Sequence, residues 1–418
     1  MKIKYVNIIE CIFLIVSFGG LIISQFNFPN MIYYIADILN IVLFFFAIRK
    51  IYRKKKIRNF KVLNFILFLS ISSIVIGCAF NNNSILLELW GMRNMFRFYL
   101  FFLSCIVLLS SEDVKTIYNY IYKLFWINFV ITLFQFFILK IKGDYLGGIF
   151  GTKQGCNSAT TIFINIIIIN VIEQYLNKKI NLMKMFSYII AYIIIISLAE
   201  IKVNFVFLIL EVILMIMLSK KSKKTIIFGI ISVVGILIGL NLLAKFFPEN
   251  MDTLFDLKSA QKYMSAEYFG TVTFTRNSLL EVTNKYFFKN NILLYLFGYG
   301  IGGCDTSQFL VSPFYEKYGY MNYRQYGTSM VLLQNGYLGL ILYFLFFIYT
   351  GYFSIKKLKE NNCYKKSILV ISIFAILDSF YASLLIDSAY FIFFVMSVPY
   401  ILYKENNFEK ERGDIYDT

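Results

Sequence analysis

Arg93, Arg97 and Arg276 stand apart from the lysine runs of this 418-residue chain. Arg93 and Arg97 lie four residues apart in Gly91-Met92-Arg93-Asn94-Met95-Phe96-Arg97, and Arg276 heads a stretch with helical periodicity. A guanidinium grips phosphate or carboxylate through two parallel N–H bonds, so arginine suits a phosphorylated ligand. Two readings of Arg93 and Arg97 stand side by side: a grip on an anionic ligand, or snorkelling toward lipid phosphate. Lys202, in Ala199-Glu200-Ile201-Lys202-Val203-Asn204, adds a cation for which a local ion pair with Glu200 is the simpler account. Carboxylates fall in two groups. Asp37, Glu200, Glu211 and Asp378 sit in or near apolar runs, where charge is costly enough to make function the default suspicion. Asp252, Asp256, Glu267, Glu281, Asp305 and Glu316 sit in a long polar stretch, where each could serve as a base or remain solvated, and no pair has a spacing that sets geometry.

The chain has no histidine, which removes the usual near-neutral acid/base group, Ser-His-Asp chemistry and imidazole metal ligation together. Its six cysteines are scattered without a CxxC pair, so no metal site and no cofactor is implied. Cys156 and Cys304 fall on one side of the topology below, which admits a disulfide. Gly298-Tyr299-Gly300-Ile301-Gly302-Gly303 matches GxGxxG literally. That fingerprint binds dinucleotides only where a strand leads into it and a helix N-terminus receives the pyrophosphate, and here Cys304-Asp305-Thr306-Ser307 follow with no clear helix. A tight turn whose backbone approaches the membrane or a ligand is the expected role.

The elements that must position these residues are helices in lipid. With 59% hydrophobic, 19% aromatic and only 16% charged residues, the composition is that of a chain whose solvent is the bilayer. Backbone groups cannot be left unpaired there, so the expected class is an all-α, polytopic transmembrane bundle. About twelve apolar runs are long enough to span, some only if short or packed: Val6–Phe26, Ile32–Ile48, Val62–Phe80, Met95–Leu109, Ile117–Leu139, Ala159–Ile172, Met185–Leu198, Val203–Leu218, Ile226–Phe246, Met330–Tyr349, Ile368–Leu385 and Ala389–Tyr403. The first is read as a retained span, since no small-x-small cleavage site follows it. The net charge of +17 comes from lysine and arginine runs between spans. Runs at 49–58, 178–179, 220–224 and 356–366 all fall on one face if both termini are cytoplasmic, which explains the charge without nucleic acid. A single membrane domain over 1–418 is expected, with a cytoplasmic tail at 404–418 and one large extracytoplasmic loop at 247–329. Within that loop, Leu279, Val282 and Tyr286 recur at helical spacing from Arg276 to Phe287, with Thr275 as N-cap, so an amphipathic helix along the membrane surface is predicted.

This order of features resembles the bacterial O-antigen polymerase and ligase group, especially Wzy-type repeat-unit polymerases of capsule or O-antigen pathways. The local pieces are Gly147-Gly148-Ile149-Phe150-Gly151, Arg276-Asn277-Ser278 through Leu296-Phe297-Gly298-Tyr299-Gly300-Ile301-Gly302, and Leu332-Leu333-Gln334-Asn335-Gly336-Tyr337-Leu338-Gly339. The resemblance implies a glycosyltransferase of the cytoplasmic membrane that joins undecaprenyl-diphosphate-linked oligosaccharides on its outer face. Membrane lipid, a chain-length regulator and a flippase are its implied partners. It carries the family's loop arginine to Arg276, upstream of Gly298 and Gly300, and its pre-loop basic residue to Lys202. On this reading Arg276 and Lys202 are catalytic cations, while Arg93, Arg97, Gly298, Tyr299, Gly300, Gln325 and Tyr326 surround the substrate. An unidentified loop carboxylate is the base, and Tyr299, Phe314, Tyr315, Tyr318 and Tyr320 stack on sugars or form an interfacial belt. Ligase relatives commonly carry a histidine where this chain has Gln325, a departure that counts against a ligase. The alternatives carried are that ligase and, in a different class, a lipid-linked oligosaccharide flippase, which would favour interrupted helices and two similar halves.

Overall fold

The computed structural model describes residues 4–54, 61–81, 83–219, 222–248, 273–307, 309–360 and 362–416. Nine long helices come first: α1 (Tyr5–Phe26), α2 (Ile32–Lys54), α3 (Lys61–Asn81), α4 (Ile85–Leu108), α5 (Ser111–Phe137), α6 (Asn157–Leu176), α7 (Leu182–Leu198), α8 (Val203–Leu218) and α9 (Lys223–Phe246). Short helices α10 (Leu279–Val282), α11 (Ile292–Phe297) and α12 (Pro313–Tyr318) follow, then α13 (Gly327–Lys357), α14 (Lys365–Tyr381) and α15 (Ala389–Tyr416). Among the described residues, one isolated bridge, Thr306 with Val311, is the sole β-type pairing. Among the described residues, eight helices are long and apolar enough to cross a membrane, namely α1 to α6, α9 and α13; α7 and α8 are shorter and apolar. The protein is an all-α, polytopic membrane helical bundle.

Burial follows the period of each helix. The isoleucine run of α6 is buried all round, whereas α9 turns Ile226, Ile230, Val233 and Leu237 outward, the surface that hydrocarbon would cover. The centre is aromatic: Phe13 stacks on Phe391 at 4.4 Å, and Phe98, Phe346 and Phe393 meet within 5.5 Å. α5 opens on a capping box, Ser110 with Asp113, worth about 1 kcal/mol to the first turn.

The ends of the bundle differ. At one end Lys50 Nζ donates to the Leu108 carbonyl (3.0 Å), Lys404 Nζ to Leu109 (3.1 Å), and the Lys366 amide to Glu173. Of the lysine runs expected on one face, Lys50, Lys178, Lys223, Lys224 and Lys366 gather here, while Lys55, Lys56, Arg58, Lys220 and Lys221 lie outside the described residues. The first helix starts and the last helix finishes at this end, because the far end of α1 packs on the turn at Phe150 and Gln25 reaches Thr152. The other end carries the residues singled out for chemistry.

Most helices run a few residues beyond or short of the expected bounds, and three differences bear on the site. α4 starts at Ile85 rather than Met95, since Glu88 and Arg93 interrupt the apolar signal but not the helix. Arg93 and Arg97 therefore sit inside the helix, not at its mouth. The helix expected at Arg276–Phe287 begins later, at Leu279, and passes into a π-turn at Thr283–Phe288. The extra residue of that turn shifts the register, so Leu279, Val282, Phe287 and Phe288 are buried while Tyr286 is exposed. Thr275 does not cap it; its amide donates to Ser278 Oγ (3.0 Å). The expected tail at 404–418 continues α15 as helix to Tyr416, through Pro399. Residues 249–272 of the large loop, with Asp252, Asp256 and Glu267, lie outside the described residues.

Candidate functional site

Arg93 and Arg97 stand four residues apart on α4 and so share a face. Both turn onto Asp37 of α2. Arg93 donates to Asp37 through Nε (2.9 Å) and Nη2, and lies over the rings of Tyr34 and Trp90. Arg97 Nη1 lies 3.3 Å from Asp37 Oδ1 and 2.8 Å from Asp387 Oδ1. Tyr390 donates to Asp37 (3.0 Å), and Asn40 donates to the Arg97 carbonyl (2.6 Å). Two guanidinium groups facing two carboxylates form a charge-balanced knot that ties α2, α4 and the 382–388 segment together. Neither sequence reading, the ligand grip or the lipid snorkel, describes it, because the partners Asp37 and Asp387 come from distant parts of the chain.

The glycine-rich turn packs closely against backbone of neighbouring segments. A Cβ on Gly298 would come within 2.5 Å of the Leu333 carbonyl oxygen, one on Gly302 within 1.9 Å of that of Leu87, and one on Gly336 within 2.4 Å of Leu296. Gly336 breaks α13 with φ 62° and ψ −169°, a conformation reserved for glycine. The Tyr299 amide donates to the Leu333 carbonyl next to that break (2.7 Å), and Tyr299 Oη donates to Phe287 (2.8 Å). Gly298, Tyr299 and Gly300 thus lock the loop onto α3 and the broken α13, Gly302 locks it onto α4, and all four line neither cavity described below. Tyr299, Phe314 and Tyr318 pack with Phe287 and Tyr323 into a small aromatic core of the loop, so they are not free sugar platforms. The other quoted glycine stretch behaves alike: Gly148 exchanges two hydrogen bonds with the Gln135 side chain, and the Ile149 amide donates to Asn128.

Two cavities at this end of the bundle adjoin the described site residues. The first, of about 300 Å³, lies between α4, α13 and the loop, with Arg97, Asn94, Asp305, Arg324, Gln334 and Asp387 among its lining. Asp305 is nearly buried; it accepts from Asn94 (2.6 Å) and pairs with Arg324 (3.1 Å). The second, of about 430 Å³, gathers Arg276, Gln325, Tyr326, Asp144, Glu200 and Asp378. The Arg276 guanidinium lies over the Tyr381 ring at 4.1 Å. Asp378 of α14 is fully buried, and among the described residues neither of its carboxylate oxygens has a hydrogen-bond partner. Ser383 and Ile386 line both cavities, so the segment between α14 and α15 forms the wall they share. That wall is pinned at its root, where the Gly327 amide donates to Ala382 (3.0 Å) and Thr328 Oγ1 to Ser379 (3.0 Å).

Of the expected site residues, Arg276, Gln325 and Tyr326 meet in the second cavity. Lys202 stands beside it, paired with Glu200 at 3.4 Å as the simpler account holds. Arg97 reaches the first cavity while tied to two carboxylates, and Arg93 reaches neither. Cys156 and Cys304 are free thiols, not a disulfide. Burial pushes the Cys156 thiol up to about 12 and the Cys304 thiol well above its usual range, which disfavours the thiolate at both. Sequence reasoning passed over Arg324, although it is a loop arginine like Arg276 and adjoins Gln325. It noted Asp378 without a place for it, because only the fold brings α14 against the loop. Among the described residues no group of three or more His, Cys, Asp or Glu could hold a metal ion. No protein-family model matches this chain, and no curated protein shows significant sequence similarity to it.

Chemically, the second cavity sets a planar cation and a buried carboxylate around one polar space. A guanidinium held flat on a ring can bind and neutralise an anionic leaving group, and an unpartnered carboxylate can take a proton.

Proposed function

We propose that this protein is a membrane glycosyltransferase that polymerises undecaprenyl-diphosphate-linked oligosaccharide repeat units, as in capsule or O-antigen synthesis. It works on the outer face of the bacterial cytoplasmic membrane, with both termini inside. The observation that carries the reading is the pair of adjoining polar cavities at one end of the bundle, one of which joins Arg276 to the buried Asp378. Joining two lipid-carried sugars requires two seats that hold the reacting atoms together.

In this mechanism the diphosphate of the growing chain lies against Arg276 in the second cavity. The incoming unit enters from the first, where Arg324 and Asn94 offer donors. A sugar hydroxyl attacks the anomeric carbon, a new C–O bond forms, and the bond from that carbon to the diphosphate oxygen breaks with its electron pair leaving on the lipid diphosphate. The hydroxyl proton passes to Asp378. Diphosphate leaves well on its own, so the protein's work is orientation and stabilisation of the charge that develops. Asp378 takes the role expected of a loop carboxylate, since of the carboxylates lining the Arg276 cavity it alone is fully buried. Lys202 tunes Glu200 at the rim rather than meeting substrate.

A second reading has one observation in its favour: the break at Gly336 in α13 is the kind of interrupted helix that transporters use. Deleting the protein in its host and separating surface glycans on a gel distinguishes the readings. A polymerase predicts capped single repeat units in place of a ladder. A flippase predicts bare cells with repeat units retained inside. An unchanged long ladder refutes both.

A further inference from the structure

The lysine-rich end holds a third cavity that the proposed function does not use. About 630 Å³ in volume, it opens between the end of α6, Ser219 after α8, the start of α9 and the start of α14. Lys178, Lys223, Lys224 and Lys366 line it against a single carboxylate, Glu360. Glu360 is bound to Lys365 at 2.5 Å, and the nearby Glu173 accepts the backbone amides of Lys366 and Ser367. None of the four lysines has a carboxylate within ion-pairing distance among the described residues. Two further lining residues, Asn177 and Ser219, each present a buried side-chain atom, Nδ2 and Oγ, with no hydrogen-bond partner among the described residues. Buried donors without partners are rare in folded proteins, and cations crowded around one space repel each other unless an anion joins them.

We infer that this cavity binds the phosphate groups of an anionic phospholipid. Phosphate supplies acceptors for the lysines and for both unpartnered atoms. What favours a lipid over a soluble phosphate is the surface below the mouth, where α8 exposes Ile213, Ile216 and Met217 and α9 exposes Ile226, Ile230 and Val233. These side chains flank the seam in which Gly229 faces Ile216, so acyl chains can lie along the same two helices whose ends hold the head group. Four cations match a head group with two phosphates better than one with a single phosphate. Basic pockets between helix ends are a recognised seat for such lipids. This site is separate from the two cavities at the opposite end and does not depend on the glycan reading.

The test uses the purified full chain in detergent, titrated with diphosphatidylglycerol, phosphatidylglycerol, phosphatidylcholine or inorganic pyrophosphate, with retained lipid read by native mass spectrometry and stability by thermal unfolding. Diphosphatidylglycerol is expected to be retained and to raise the unfolding midpoint, and phosphatidylcholine to do neither. Replacing Lys178, Lys223, Lys224 and Lys366 by Gln should weaken binding by roughly a few-fold per lysine lost. The same number of Gln substitutions at the exposed Lys115, Lys184, Lys356 and Lys359 should leave it unchanged. If the fourfold cavity variant does not fold, Lys223→Gln and Lys366→Gln singly should each show the smaller loss. Equal weakening by both sets, equal retention of phosphatidylcholine, or stabilisation by pyrophosphate alone overturns the assignment.

Discussion

Asp37 is the residue on which the two α4 arginines depend. It lies largely buried between them, and Asp387 is the sole other carboxylate that reaches Arg97 among the described residues. Removing one partner of a buried ion pair leaves the other charge desolvated and uncompensated, so Asp37→Ala should cost about 3 kcal/mol of stability. Thermal unfolding of the purified protein would read that loss. A variant as stable as the parent would show that water already reaches the arginines. Arg276 belongs to a different class of prediction, because its guanidinium lies on the Tyr381 ring and lines the second cavity. A lysine there keeps the charge but loses the flat stacking group and the two-pronged donor geometry. Arg276→Lys should therefore lose polymer on a surface-glycan gel while protein level, followed by immunoblot, is preserved. Normal chain lengths in Arg276→Ala would remove this residue from the mechanism.

At the scale of elements, the loop and the broken helix hold each other in place. Because a Cβ at Gly298 would strike residues 333 to 336, and one at Gly336 would strike Leu296 and Phe297, either change pushes the same two segments apart. Gly336→Ala also forces an L-residue into a backbone region open only to glycine, so a loss of about 3 kcal/mol is expected. Gly298→Ala should cost a similar amount, and the double variant less than the sum, as thermal unfolding of all three would reveal. Gly229→Ala in the regular part of α9, where the nearest atom would be Ile216 Cδ1 at 3.5 Å, should be neutral or slightly stabilising. Additive losses at Gly298 and Gly336 would mean that the interlock is not a single structural unit. These glycines were visible in the sequence as motifs, but their use was not. A GxG spacing says that backbone must come close to something, and only the packed helices show that the neighbour is Leu87, Leu333 and Gly77 rather than a ligand.

Across the whole molecule, hydropathy and lysine placement carried far. Each of the twelve expected spans coincides with a helix, but among the described residues eight of those helices are long and apolar enough to cross a membrane. The described lysines of the expected runs meet at one end, because charge placement is set by the bilayer rather than by tertiary detail. The site was legible in part. Arg276, Gln325 and Tyr326 were named in advance and share a cavity, yet Asp378 and Arg324 entered only when the fold brought α14 and the loop together. Arg93 and Arg97 misled because positive-inside bias flags an outward arginine without revealing that Asp37 and Asp387 neutralise it. The proposed orientation predicts that cysteines placed at Ser278 and Lys178 react with a membrane-impermeant maleimide in opposite fashion in intact cells, the first labelled and the second not. The most direct measurement of the central claim reconstitutes the purified protein in vesicles with undecaprenyl-diphosphate-linked repeat units from its host, and resolves the products by electrophoresis for the parent chain and for Asp378→Asn. The parent should convert single units into a ladder and the variant should slow that conversion by about a hundredfold or more. An unaltered ladder from the variant, or no extension by the parent, would contradict the account.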